Sequence, residues 1–140
     1  MKEETLIIDE NELEQDIDTF LYKGEPFTGV GMLYYDNGKP EYKTMYKNGF
    51  VHGSMTCYFE SGEIKYIIES RKGLRHGETK RWLPNGQLQL FELYDRGFLL
   101  SRNLWSVDGK LIETEAISED SSDYDLLQFF RKNDPESSEE

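Results

Sequence analysis

Cysteine is almost missing from this chain. Cys57 stands alone among 140 residues, so no disulfide can close within it. That removes covalent bridging as a source of stability and fits a reducing compartment. Long apolar runs are missing too, and no stretch approaches the ~20 apolar residues of a membrane span. The start, Met1-Lys2-Glu3-Glu4, is acidic and leads into no apolar run. No secretory leader is therefore expected, and the reading is a cytoplasmic protein without a membrane partner. Bases are scarce: the net charge is −12. A chain without a net basic footprint is not expected to bind nucleic acid directly. Catalytic motifs are absent as well. There is no Gly-x-Ser-x-Gly elbow and no Gly-rich phosphate loop ending in Lys-Ser/Thr. Acid pairs such as Asp9-Glu10 and Glu119-Asp120 lie in the flanks, where a solvated surface is the plain reading. The expectation is a protein that is not an enzyme, with no catalytic, cofactor or metal residues.

Glycine, in contrast, is abundant and ordered. Gly29, Gly53 and Gly77 open three copies of one pattern with a period of 24 residues. Gly38, Gly62 and Gly86 mark the middle of each copy, and Gly49, Gly73 and Gly97 recur near its end. Tyr34, Tyr58, Trp82 and Trp105 form one aromatic column. A unit of this length reads as strand, tight turn, strand, tight turn. Asp36-Asn37-Gly38 and Lys47-Asn48-Gly49 are the two corners of the first copy, with Asn tolerating and Gly supplying a positive φ. Period-2 alternation puts Tyr42, Thr44 and Tyr46 on one face, as it does Ile64, Tyr66 and Ile68. Lys43, Lys65, Gln87 and Gln89 take the other face, with Met45, Ile67, Phe91 and Leu93 as apolar exceptions. One such hairpin cannot bury its apolar face. Stacked edge to edge, the hairpins make an elongated, twisted antiparallel sheet.

The ends leave the pattern. Residues 1–28 are expected to be capping strands, at Thr5–Ile8 and Thr19–Tyr22, with an ambiguous acidic stretch between them. In that stretch Leu13 and Ile17 allow a weak helical turn. The array is expected over 29–116, in units 29–52, 53–76, 77–100 and 101–116. The last unit has Ser101 where glycine belongs and has lost one residue before Trp105. Residues 117–133 should hold a short helix, with Ser122 and Asp125 resembling a capping box. Phe129 and Phe130 read as a plug for the open end of the sheet, or alternatively as the face of a partner-docking helix. The tail from 134 to 140 is acidic and expected to be disordered.

Charge divides along the same lines. Residues 1–22 carry eight acids and one base, 23–116 twelve acids and thirteen bases, and 117–140 eight acids and two bases. His52 and His76 fall at one repeat position and read as a copied residue rather than a metal pair. Cys57 reads as a small core residue. The aromatic column is either a packing ladder or an exposed stripe that anchors a partner.

The motif Gly24-Glu-Pro-Phe-Thr-Gly29, then Tyr34-Tyr-Asp-Asn-Gly38, Tyr46-Lys-Asn-Gly49 and His52-Gly53, resembles the variant class of MORN repeats found in bacteria. It recurs as Tyr58-Phe-Glu-Ser-Gly62, His76-Gly77 and Trp82-Leu-Pro-Asn-Gly86, so the resemblance covers about 24–112. It implies stacked β-hairpins and no catalytic residues. It further implies an antitoxin or immunity protein that neutralises a cognate toxin, a nuclease or a nucleic-acid deaminase, by direct binding. An acidic partner would cover the basic surface such a toxin shows its substrate. The candidate partner-binding residues are then Asp9, Glu10, Glu12, Glu14, Asp16, Asp18, Glu119, Asp120, Asp123 and Asp125, with Tyr34, Tyr58, Trp82 and Trp105 as anchors. The alternative is a structural scaffold or membrane-apposed adaptor, as resemblance to eukaryotic MORN proteins implies. Open sheet edges allow either a monomer or a weak homodimer.

Overall fold

The computed structural model describes residues 4–134. Eight strands follow one another as hairpins: β5 (Gly29–Tyr34), β6 (Pro40–Lys47), β7 (Phe50–Tyr58), β8 (Ile64–Arg71), β9 (Leu74–Trp82), β10 (Leu88–Asp95), β11 (Phe98–Trp105) and β12 (Leu111–Ala116). Each pairs antiparallel with the next. The short β1 (Ile7–Asp9) adds to β5, but in parallel, so the nine-stranded sheet is antiparallel except at that edge. Nine strands at the usual spacing span about 38 Å.

Two kinds of corner alternate, and both follow from glycine placement. At Asn48-Gly49 both residues have positive φ, 52° and 87°. This is a two-residue type I′ turn, whose twist matches that of the strands it joins. Lys72-Gly73 and Arg96-Gly97 repeat it. At Asp36-Asn37-Gly38 only Gly38 is left-handed, and its N–H reaches the Tyr35 carbonyl at 2.9 Å. Asn37 instead caps the loop, its Oδ1 accepting from the Lys39 N–H at 2.8 Å.

Each type I′ corner is clasped by the copy before it. The Asn48, Lys72 and Arg96 N–H groups donate to Thr28 Oγ1, His52 Nδ1 and His76 Nδ1 at 2.9, 3.2 and 3.1 Å. The two histidines therefore have a structural use that a copied residue alone did not reveal.

The N-terminal segment departs from its expected form. The stretch expected to make a helical turn holds a 3₁₀ turn at Glu10–Glu12, then β2 (Glu14–Asp16). Ile17 sits at φ 56° and is 91% exposed, so it gives no helical face. β2, β3 (Thr19–Tyr22) and β4 (Glu25–Pro26) form a small separate sheet. Its Phe20 N–H donates to the Gly49 carbonyl at 2.7 Å, fixing it to the β6–β7 corner. Phe20 and Phe27 lie 5.3 and 5.5 Å from the Tyr46 ring. Ile8, Phe27 and Tyr46 are buried together there, the main apolar core of the described residues. Burying one such ring contributes about 1.5–3 kcal/mol.

Helix α1 (Ser122–Asn133) closes the described chain. Its N-cap is Ser121, not Ser122: the Ser121 hydroxyl accepts from the Tyr124 N–H at 3.1 Å. Leu127 is the residue it buries completely, while Phe129 and Phe130 stay exposed, with Phe130 at 6.2 Å from Phe98. Ion pairs fix its far end. Arg131 Nε reaches Asp95 at 2.7 Å, and Asp134 accepts from Arg71 and Arg96 at 3.0 and 2.9 Å. The expected tail beyond Asp134 lies outside the described residues.

Candidate interaction surface

Residues directly opposite one another in register share a sheet face. One row on the first face runs Leu33, Tyr42, Cys57, Tyr66, Arg81, Leu90, Leu104. The row beside it runs Gly31, Thr44, Met55, Ile68, Thr79, Glu92, Arg102, Glu115. The second row begins small and apolar and ends charged, while the first carries a single charge, Arg81, between Tyr66 and Leu90.

Bulges set this register. Met45 is opposed by residues 52–54 and Glu69 by 76–78, with Gly53 and Gly77 bent to φ 102° and 103° inside the bulge. A Cβ on Gly77 would meet the Glu69 carboxylate at 3.0 Å. In β11 Leu93 faces only Leu100 and Ser101. This is the residue lost before Trp105. Counting 24 from Thr79 would bring Asn103 to Glu92; the shorter bulge brings Arg102 instead. Dropping one residue thus changes which side chains meet across the strands.

The result is a buried carboxylate held by two guanidiniums. Glu92 is 2% exposed. Its Oε2 accepts from Arg102 Nε at 2.6 Å, and Arg75 Nη1 stands 3.7 Å from its Oε1. Tyr94 donates to Glu92 Oε1 at 3.2 Å and carries Arg75 over its ring at 5.3 Å. The hydrogen bond it donates to Glu92 raises the Arg102 pKa above its ordinary value. Arg81 and Lys65 complete a groove of about 510 Å³ over Tyr66, Ile68 and Leu90. Lys65 lies between Tyr66 and Ile64 where the pairing with β7 shifts register, so it borders this groove instead of following strict alternation. Burial, and then the Tyr42 hydroxyl at 3.3 Å, push the Tyr66 phenol up.

The expected partner-binding residues fall in three places. Tyr34, Tyr58, Trp82 and Trp105 each end a strand, opposite Pro40, Ile64, Leu88 and Leu111 at a register shift. Tyr34 is 56% exposed, and the other three are half-buried. Asp9, Glu12, Glu14, Asp16 and Asp18 are exposed around β1 to β3. Glu10 is turned inward and accepts from the Tyr46 hydroxyl; burial, then that bond, raise the Tyr46 pKa. Glu119, Asp120, Asp123 and Asp125 are exposed at the start of α1, which follows β12. β1 and β12 are opposite edges of the sheet, so the two acidic groups are not brought together. Sequence reasoning missed Glu92, Arg75 and Arg102. The available signal was the missing residue together with charges entering an otherwise uncharged row.

Among the described residues no three His, Cys, Asp or Glu side chains gather as metal ligands. Among the described residues no helix is long and apolar enough to cross a membrane.

Residues 27–48, 51–71 and 75–90 match the family described as MORN repeat variant. The chain is also 45% identical over 109 residues to Immunity protein YwqK of Bacillus subtilis (strain 168), covering 78% of this chain and 71% of that protein. This chain belongs to the MORN repeat variant family. The matched segments fall on β5–β6, β7–β8 and the start of the third hairpin, with Gly38, Gly62 and Gly86 at turns and Gly53 and Gly77 in the bulges. As a MORN repeat variant protein it has the expected stacked hairpins. No solved structure matches it.

Proposed function

We propose that this MORN repeat variant protein is an immunity protein that binds a cognate protein toxin in the cytoplasm and blocks it. The likeness to Immunity protein YwqK over most of both chains carries this reading. The toxin we infer is a nuclease or nucleic-acid deaminase, whose substrate site must be basic. The exposed acids Asp9, Glu12, Glu14, Asp16 and Asp18, with Glu119, Asp120, Asp123 and Asp125, would steer that surface inward. The half-buried rings Tyr58, Trp82 and Trp105 suit anchoring contacts, since Tyr and Trp dominate interface hot spots. The partner would be blocked by coverage, and the immunity protein needs no chemistry of its own.

Co-expression with the toxin encoded beside this gene tests the reading. The expected result is restored growth and a complex that co-purifies and weakens as salt rises. Toxicity undiminished by the co-expressed protein would contradict it.

A further inference from the structure

The groove around Glu92 has a sign opposite to the rest of the molecule. Its lining holds Lys65, Arg75, Arg81 and Arg102 against the single carboxylate of Glu92. Glu92 engages Arg102 and Arg75 from beneath, so it aims them more than it cancels them. Arg102 also stands 3.7 Å from Glu115, but Arg75 keeps N–H donors that Glu92 and Tyr94 do not use. Arg81 is held by Gln89 at 3.2 Å, a neutral partner.

We propose that this groove receives an extended acidic segment of the bound toxin. Carboxylates of that segment pair with Arg81, Arg75 and Lys65. Fork-shaped guanidiniums favour carboxylates bidentately. The site rests on the immunity reading for the identity of its occupant, but its chemistry is local. The complex would then be charge-complementary in two senses, with acidic flanks over basic toxin surface and this basic groove over an acidic toxin segment.

Two experiments separate the groove from the function. The purified full chain is titrated with a fluorescent peptide of alternating Glu and Tyr, with Lys–Tyr and a single-stranded oligonucleotide as controls. The Glu–Tyr peptide is expected to bind, and Arg81→Glu with Lys65→Glu is expected to weaken it at least tenfold. Far-UV circular dichroism and melting of the variant serve as a check on folding. These two residues are chosen because neither bonds Glu92. No binding of the Glu–Tyr peptide, or tighter binding of the oligonucleotide, would overturn the proposal. The growth rescue is then repeated with the same variant. Rescue reduced while the fold is intact supports the groove. Rescue equal to the unaltered protein overturns it and leaves the immunity reading standing. If the unaltered protein fails to rescue, the immunity reading falls, and the peptide titration alone decides the groove.

Discussion

At its Tyr46 end the sheet is roofed by rings, while at its Glu92 end the same face lies open and is held by ion pairs. Phe20, Phe27 and Tyr46 meet at 5.3–5.5 Å in the first region. Glu92, Arg102 and Arg75 meet at 2.6 and 3.7 Å in the second. Both regions use the same corners and the same hairpin lengths, to within one residue. A MORN-type repeat therefore fixes the backbone through its glycines and leaves the rows between them free to vary. Thr44, Ile68 and Glu92 are one position in three copies, and only the last carries charge. The roofed end is suited to stability. The open end is suited to recognition.

The comparison can be broken first at the ring end. Phe27→Ala should lose about 3–5 kcal/mol of unfolding free energy, since it empties the ring site buried with Ile8 and Tyr46. Equilibrium urea unfolding measures it. If the midpoint does not move, the small sheet β2–β4 is not what stabilises that end.

At the open end Glu92→Met should cost about 2–3 kcal/mol, because Arg75 and Arg102 lose their shared acceptor while still able to turn to water. Adding Arg102→Met should recover most of that loss, because an apolar pair can replace a buried ion pair at little net cost. A double-mutant cycle by urea unfolding reads the coupling. Additive losses would show that the pair is not a unit.

A smaller effect sharpens the likeness between the regions. Gly73→Ala and Gly97→Ala each force a Cβ into left-handed backbone at φ 82° and 85°, where the nearest neighbours stand at 3.5 and 3.6 Å. Each should cost about 1–2 kcal/mol and by similar amounts, if the corners are truly equivalent. Thermal melts of the two variants test this.

The smallest effect is a pH dependence at the clasp. Burial, and then the Arg71 charge, hold the His76 imidazole below its ordinary value of 6.5. A depressed histidine is neutral in the folded state, and its Nδ1 must stay free of a proton to accept from Arg96. Its contribution is therefore present above the unfolded value and is lost as pH falls below it. Acidifying from pH 7.5 to 5.5 should lower the urea midpoint. His76→Asn keeps an acceptor and should flatten that slope. An unchanged slope would remove His76 as its source.

Much of this was legible before any coordinates. Glycine at two fixed places in a copy dictates both corners, and alternation dictates which of Tyr42, Thr44, Tyr66 and Ile68 share a face. The N-terminal segment was not legible. β2, β3 and β4 are two to four residues long, and pairing with Tyr46 and the Gly49 carbonyl holds them, not their own propensity. The parallel placement of β1 likewise depends on contacts with β5. The candidate groove was hidden for another reason. The missing residue before Trp105 could be counted, yet its effect on Arg102 needed the register of β10 with β11. The Asp134 pairs with Arg71 and Arg96 join residues 63 and 38 apart, a distance no local pattern reports.

Arginine labelling of the chain with phenylglyoxal, alone and in complex with the neighbouring toxin, tests most directly whether this sheet face is where the partner sits. The account predicts that Arg81 and Arg75 react in the free protein and are shielded in the complex. A complex that forms while both react as fast as before would contradict it.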